Sequence, residues 1–268
     1  MPSSRSASPT SRASEPAPGL GRPAVALAFK LALAPLLVAQ AVATRRRAPV
    51  LPEAAGPREG RLDARGGGAE WRILVAGDSS AAGVGVAEQA QGFAGHLIRA
   101  LQARHAGPIA WALRARSGLT TRALHRWLRE QPPAPADFAV LVTGVNDVVD
   151  QIPARRALHH RAALADWLLG SGLARHVAFA PLPPMDEFPL LPQPLRRVLG
   201  VDARRHDRAL ADWAATRSDV SHVPVSLRLG AGVMASDGFH PGEPVYRACG
   251  EALGAHVANT ALARGLFD

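Results

Sequence analysis

The stretch Trp71–Gly85, WRILVAGDSSAAGVG, contains the transition that decides the fold. An apolar run stops at Gly77 and is followed at once by an aspartate and two serines. A short apolar run bounded by turn residues is typical of a buried strand. Three structures could follow such a strand: a simple turn, a phosphate-binding loop, or a turn that presents a serine as a nucleophile.

The glycines after this strand do not match either common phosphate-binding motif. A nucleoside-triphosphate loop needs a lysine after its last glycine, and residues 71–130 contain no lysine. A dinucleotide loop needs G-x-G-x-x-G, but Gly83 and Gly85 are followed by Glu88 at the third position. The acid expected about 20 residues further on is also missing. A turn and a presented serine remain.

Apolar runs and helical patterns alternate after Trp71. Strands are predicted at 71–77, 109–118, 138–144, 176–182 and 220–227, and helices at 92–106, 120–131, 154–170, 202–216 and 242–264. The third strand is apolar on both faces and is expected at the centre of the sheet. Pro224 places the fifth strand at an edge. The pattern predicts an α/β fold, a three-layer α/β/α sandwich with a five-stranded parallel sheet.

The residues before Trp71 divide into three segments. Residues 1–23 are rich in Ser, Pro and Ala and are predicted to be a disordered tail. Residues 24–47 are predicted to form an apolar helix that ends in three arginines. Residues 48–70 have the Pro, Gly and charge content of a linker. The compact domain is therefore predicted to span 71–268.

The apolar residues 24–43 have three open interpretations. They have the length of a membrane anchor, AVA at 41–43 resembles a signal-peptide cleavage site, and a helix packed on the domain would look similar. We favour membrane association through residues 24–43. The side of the membrane, and a soluble location, stay open.

The charge distribution argues against a nucleic-acid-binding protein, and the cysteine content excludes a disulfide scaffold. The net charge is +9, but residues 1–72 carry 11 basic and 5 acidic residues, so most of the excess lies outside the predicted domain. Aromatic residues make up only 5% of the chain, and the predicted domain has no basic stripe interleaved with aromatics. The sequence therefore does not predict nucleic-acid binding. The single cysteine, Cys249, excludes an internal disulfide and a disulfide scaffold.

Three polar motifs follow predicted strands: GDSS at 77–80, GVND at 144–147 and DGFHP at 237–241. Taken singly, they are typical of a turn, a helix cap and a surface turn. In open α/β sheets, however, sites form beyond the carboxyl ends of the strands. The spacing of Asp237 and His240 lets a carboxylate reach the imidazole Nδ1 within one turn. A serine hydroxyl needs such a base to become a nucleophile.

These motifs resemble the conserved blocks of the SGNH hydrolase superfamily, the GDSL-type esterases and lipases, over about residues 72–264. GDSS resembles the nucleophile block, RSGLTT at 116–121 the glycine block, GVND the asparagine block and DGFHP the histidine block. Ser80 stands where the family name implies leucine.

The resemblance implies a serine hydrolase that cleaves carboxylic esters through an acyl-enzyme, with a flavodoxin-like fold. Ser79, His240 and Asp237 would form the triad, and Ser79, Gly118 and Asn146 the oxyanion hole. A small-molecule ester is the implied partner, and neither a metal nor another cofactor is required. An acyltransferase, a carbohydrate O-deacetylase and a non-catalytic membrane-tethered binding module remain alternatives.

A long Pro-rich connection, residues 181–199, follows the fourth predicted strand. Long loops beside a site often form lids or binding walls. Met185, Phe188, Leu190 and Leu191 are therefore candidates for an acyl pocket that takes short or medium chains. Burial of these side chains against the core is the equally weighted alternative.

Overall fold

The computed structural model describes residues 31–263, which form alternating strands and helices from residue 59 onward. The strands are β1 (Glu59–Leu62), β2 (Trp71–Gly77), β3 (Ile109–Ala115), β4 (Phe138–Val142), β5 (His176–Phe179) and β6 (Val220–His222). The helices are α1 (Ala34–Arg47), α2 (Phe93–Gln102), α3 (Thr121–Glu130), α4 (Val145–Val149), α5 (Ala154–Gly170), α6 (Leu195–Ala214) and α7 (Glu243–Ala263). Short 3₁₀ turns at Gln89–Gln91 and Met185–Glu187 lie in connections.

The sheet has the order β1-β3-β2-β4-β5-β6. Strands β2 to β6 are parallel, which confirms the five predicted parallel strands, and β4 lies near the centre as expected. The count of five is nevertheless one too low, because β1 adds an antiparallel edge strand beside β3. Its sequence, EGRL, is largely exposed and has no apolar pattern, which is why the sequence predicts only a linker at 48–70.

Alternate residues of the central strands face two separate cores. Leu74 and Ala76 of β2 pack on the side covered by α3, α5 and α6. Ile73 and Val75 pack on the opposite side, against α2 and α7. Side chains of a strand point to opposite faces in turn, so an apolar run such as ILVA needs helices on both faces. The three-layer α/β/α prediction is confirmed.

Several predicted boundaries differ from the structure, because most predicted strands are two to five residues too long, and two of the differences are informative. The fifth predicted strand, 220–227, ends at His222, before Pro224, whose nitrogen has no proton to donate to a neighbouring strand. Helix α6 begins at Leu195, seven residues before the predicted start, so the Pro-rich connection ends earlier than expected. Helix α5 has its predicted bounds.

Helix α1 lies on the surface beside the start of α6. The Gln40 amide donates to the Gln193 carbonyl at 2.7 Å, and its oxygen accepts the Leu195 N–H at 3.2 Å. Within residues 31–263, no helix is both long enough and apolar enough to cross a bilayer. The predicted tail at 1–23 and residues 24–30 of the apolar segment lie outside the described residues.

Strands β3, β2 and β4 end side by side. Gly77 is paired with Ala115 on one side and with Val142 on the other. The turns that follow these strands carry GDSS, RSGLTT and GVND, so the fold brings three of the four motifs to one edge of the sheet.

Candidate active site

The turn after β2 holds Ser79 at the sheet edge. A Cβ at Gly77 would lie 2.0 Å from the Val142 carbonyl oxygen, so only glycine fits where β2 meets β4. The chain then turns tightly: the Ala82 N–H donates to the Asp78 carbonyl and the Val84 N–H to the Ser79 carbonyl, each at 3.0 Å. Ser79 is left half-buried at the start of this turn.

The loop between β6 and α7 carries Asp237 and His240. It is closed by two hydrogen bonds: the Ala235 N–H donates to the His240 carbonyl, and the Gly242 N–H to the Val233 carbonyl, each at 2.9 Å. The Asp237 Oδ1 atom accepts the N–H groups of Phe239 and His240, both at 2.9 Å. These bonds fix the aspartate in the turn that carries the histidine.

The predicted triad residues are in hydrogen-bond contact. His240 Nδ1 lies 2.5 Å from Asp237 Oδ2, and His240 Nε2 lies 3.1 Å from Ser79 Oγ. Because 161 residues separate Ser79 from His240 in the chain, only the fold joins them. The imidazole is thus placed between a carboxylate and a hydroxyl, each at a different ring nitrogen.

Asp237 is buried, yet its pKa lies below the usual value. Burial alone would raise this pKa. The hydrogen bond from the His240 side chain outweighs it, together with those from the His240 and Phe239 N–H groups. The carboxylate therefore stays ionised beside the imidazole, where it can stabilise a positive charge.

Gly118 and Asn146 lie in the two turns that flank Ser79. Gly118 is exposed and has φ +80°, a conformation that favours glycine. The Asn146 Nδ2 group donates to the Leu119 carbonyl at 3.0 Å, which ties the two turns together. A side-chain amide has two N–H donors, so this bond fixes the group and leaves the other N–H for a further acceptor.

A buried ionic network lies beneath Asn146. Asp147 Oδ1 accepts the Thr121 N–H at 3.0 Å, and its Oδ2 accepts the Thr121 hydroxyl at 2.5 Å and an Arg161 N–H at 3.4 Å. Arg161 and Asp147 are both fully buried. A Cβ at Gly144 would lie 2.1 Å from the Arg161 Nη2 atom, so the guanidinium fills the space that this glycine leaves.

Sequence reasoning missed Arg161 and Thr121. Arg161 is one of many arginines in helical segments, and no local pattern distinguishes it from an exposed one. Thr121 lies inside the RSGLTT block, but its partner Asp147 is 26 residues away. Both residues support the turn that carries Asn146.

An apolar cleft opens beside Ser79 and His240. Its wall comes from the turn after β4, the Pro-rich connection and the loop between β6 and α7, which we call the histidine loop. The apolar lining residues are Val145, Pro183, Phe188, Leu229, Met234, Phe239, Pro241 and Val245. A second cavity shares Ser80, Val145, Pro183, Pro241 and Val245 with the cleft and extends inward to Tyr246 and Cys249.

The four predicted acyl-pocket residues are divided between this cleft and the core. Phe188 lines the cleft although it is only 2% exposed, and Met185 and Leu191 are buried in the core beneath it. Leu190 is half-buried, and its N–H donates to the Gly238 carbonyl at 3.0 Å. The connection also supports the histidine loop through a perpendicular Phe188–Phe239 contact, with ring centroids 5.2 Å apart.

Comparison with known proteins identifies the family of this chain. The model of the GDSL-like lipase/acylhydrolase family matches residues 75–248, which include all four motifs. The chain belongs to this family. Membership makes it a carboxylic ester hydrolase. A search of curated proteins found no match to the chain.

Solved structures share the fold at low sequence identity. The lipase Lip_vut3 from a goat rumen metagenome is 16% identical, with 71% of this chain and 98% of that chain covered and a TM-score of 0.58. A member of the lipolytic G-D-S-L family from Veillonella parvula is also 16% identical, with coverages of 73% and 97% and a TM-score of 0.52. A putative lipolytic protein of the same family from Desulfitobacterium hafniense is 13% identical, with coverages of 69% and 98% and the same TM-score.

Proposed function

We propose that this chain hydrolyses carboxylic esters of short or medium acyl chains through Ser79, His240 and Asp237. The observation that carries the proposal is the continuous contact from the Ser79 hydroxyl through the His240 ring to the Asp237 carboxylate. Ser79 Oγ attacks the ester carbonyl while His240 Nε2 takes its proton. Asp237 holds the ring with Nδ1 protonated and stabilises the imidazolium.

The acyl-enzyme then forms and breaks in two steps. His240 returns the proton to the alcohol oxygen as the bond between that oxygen and the acyl carbon breaks. Water next attacks the acyl carbon while His240 Nε2 takes a proton from it. The bond between Ser79 Oγ and the acyl carbon then breaks, His240 returns the proton to Oγ, and the acid is released. The negative charge on the carbonyl oxygen would be held by the N–H groups of Ser79 and Gly118 and by the second amide N–H of Asn146.

The cleft lining supports an acyl chain over a sugar as the group recognised beside Ser79. Phe188, Met234 and Phe239 offer apolar contacts, while recognition of a sugar needs several convergent polar groups. The inner cavity at Tyr246 and Cys249 gives room for an acyl chain to extend past Ser80.

Hydrolysis of p-nitrophenyl esters of graded chain length tests the proposal. We expect kcat/KM to be highest for short or medium chains, and Ser79→Ala to lower it by at least about 10³-fold. Ser80→Ala is the matched control, because it removes the neighbouring hydroxyl. An alkyl phosphonate should attach covalently to the wild type and to Ser80→Ala but not to Ser79→Ala. Equal ester hydrolysis by Ser79→Ala would exclude Ser79 as the nucleophile.

A further inference from the structure

The strongly exposed large apolar side chains of residues 31–263 are concentrated near α1. Leu36, Val38 and Val42 lie on this helix, with Val38 63% exposed, and Leu31 and Val50 flank it. Elsewhere in the described chain only Val149 and Leu262 are exposed to a similar degree. An exposed apolar patch of this kind commonly marks an interaction surface.

Helix α1 has an inner face and an outer face. Leu37 packs against the core, and Gln40 bonds to the start of α6. On the outer face, Val38 and Val42 are four residues apart and therefore stack along one stripe. Arg45, Arg46 and Arg47 continue from this stripe in the last turn, all exposed, and α1 contains no acidic residue.

We propose that the outer face of α1 binds the surface of an anionic lipid bilayer. Exposed valines and leucines would enter the boundary between headgroups and acyl chains, while the three arginines contact anionic headgroups. The sequence immediately before α1, residues 24–33, is apolar except for Lys30 and extends the same character. A second copy that docked through the same helix would set arginine against arginine, because α1 contains no acidic residue, whereas an anionic bilayer offers negative charge.

The contacts of α1 link this surface to the cleft. Gln40 bonds to Gln193 and Leu195, at the end of the Pro-rich connection. The same connection contributes Phe188 to the cleft and donates the Leu190 N–H to Gly238, inside the histidine loop. A membrane bound at α1 would thus lie one packed segment away from the cleft.

Vesicle flotation of the full chain tests the proposal. We expect binding to vesicles of phosphatidylglycerol and phosphatidylcholine, and little binding to vesicles of phosphatidylcholine alone. Replacing Arg45, Arg46 and Arg47 with glutamine should weaken binding to the anionic vesicles roughly 100-fold, since each basic residue near such a surface contributes about fivefold. Replacing Val38 and Val42 with serine should also weaken it.

Matched variants distinguish binding through the α1 surface from an effect of the overall positive charge of the chain. Glutamine at the exposed residues Arg122, Arg129 and Arg155 changes the net charge by the same amount and should leave binding unaltered. Serine at Val149 and Leu262 is the control for the apolar residues. Ser79→Ala should bind vesicles like the wild type, so loss of hydrolysis and loss of docking can be told apart.

Four results with vesicles would overturn the proposal. They are no binding to anionic vesicles, equal binding to both vesicle types, equal weakening by the control arginine variant, and bound protein that resists extraction by high salt and alkaline carbonate, which would indicate a spanning segment. Sedimentation that shows a dimer dispersed by Val38→Ser and Val42→Ser would assign the face to a second copy and would also contradict it.

Discussion

At the scale of single residues, Asp78 is the least favourably placed charge near the site. It is only 1% exposed, its Oδ1 atom accepts the Ser80 N–H, and its Oδ2 atom has no hydrogen-bond partner among the described residues. Burial, together with the nearby charge of Asp147, raises its pKa to about 7. Folding therefore favours the protonated form of this carboxyl group.

The raised pKa of Asp78 predicts a specific dependence of stability on pH. Between its ordinary pKa of 3.8 and about 7, the folded state binds more protons at Asp78 than the unfolded state does. The contribution of this group to the free energy of unfolding is then greatest at low pH and is lost as pH rises through 7. We expect the free energy of unfolding of Asp78→Asn, relative to that of the wild type, to increase by roughly 2–3 kcal/mol from pH 5 to pH 8.

Urea unfolding of both proteins at the two pH values measures this gain. Asp212→Asn is the control, because Asp212 is exposed. If the free energies of unfolding of the wild type and Asp78→Asn differ by the same amount at pH 5 and pH 8, the pKa of Asp78 is not raised.

The residues of the site differ in how far sequence could predict them. Ser79, Asp237 and His240 lie in short motifs that a sequence can show, since Ser79 directly follows a strand and Asp237 and His240 share one turn. Arg161 could not be predicted, because its role depends on the space left by Gly144 on another element. Met185 and Leu191 show the same limit: an apolar residue in a loop near a site packs either into the cleft or into the core, and composition does not distinguish the two.

At the scale of elements, the turns after β3 and β4 act as one unit. The Asn146 side chain on α4 bonds to the Leu119 carbonyl in the other turn, and Asp147 bonds to the start of α3. The proposed oxyanion donor is therefore held from two directions before a substrate arrives, as electrostatic stabilisation of a transition state requires.

Removal of this amide tests that arrangement. We expect Asn146→Ala to lower kcat for ester hydrolysis by roughly 10²–10³-fold, with a smaller change in KM, because the lost hydrogen bond is made mainly in the transition state. Gln151→Ala is the matched control: it also removes an amide that bonds to a backbone carbonyl, at Val148, but outside the cleft. Equal kcat values for Asn146→Ala and the wild type would remove Asn146 from the oxyanion hole.

Elements were predictable where a strong periodic pattern was present. The run ILVA in β2 and the helical spacing in α5 have clear signals, and both elements were found as expected. Strand β1 has no such signal, because it is exposed and owes its conformation to pairing with β3. The early start of α6 follows from burial of Leu195, Val198 and Leu199, which a Pro-rich context hides.

At the scale of the whole molecule, the parallel sheet is what makes the site. Its order places β2 between β3 and β4, so that the turn that carries Ser79 lies between the two turns that carry Gly118 and Asn146. The loop after β6 then returns across the edge and supplies the imidazole from the far end of the chain. Sequence patterns predict the parallel strands and the motifs at their ends, and the family resemblance implies that this loop meets Ser79. The contacts with the Pro-rich connection that hold the loop in place could not be predicted.

A double-mutant cycle on Ser79 and His240 measures most directly whether these two side chains act together. With a p-nitrophenyl ester, we expect Ser79→Ala and His240→Ala each to lower kcat/KM by at least about 10³-fold, and the double variant to fall little further, since the second substitution removes a partner that has nothing left to activate. Losses that multiply in the double variant, or a single variant that hydrolyses the ester at the wild-type rate, would contradict a hydroxyl activated by that imidazole.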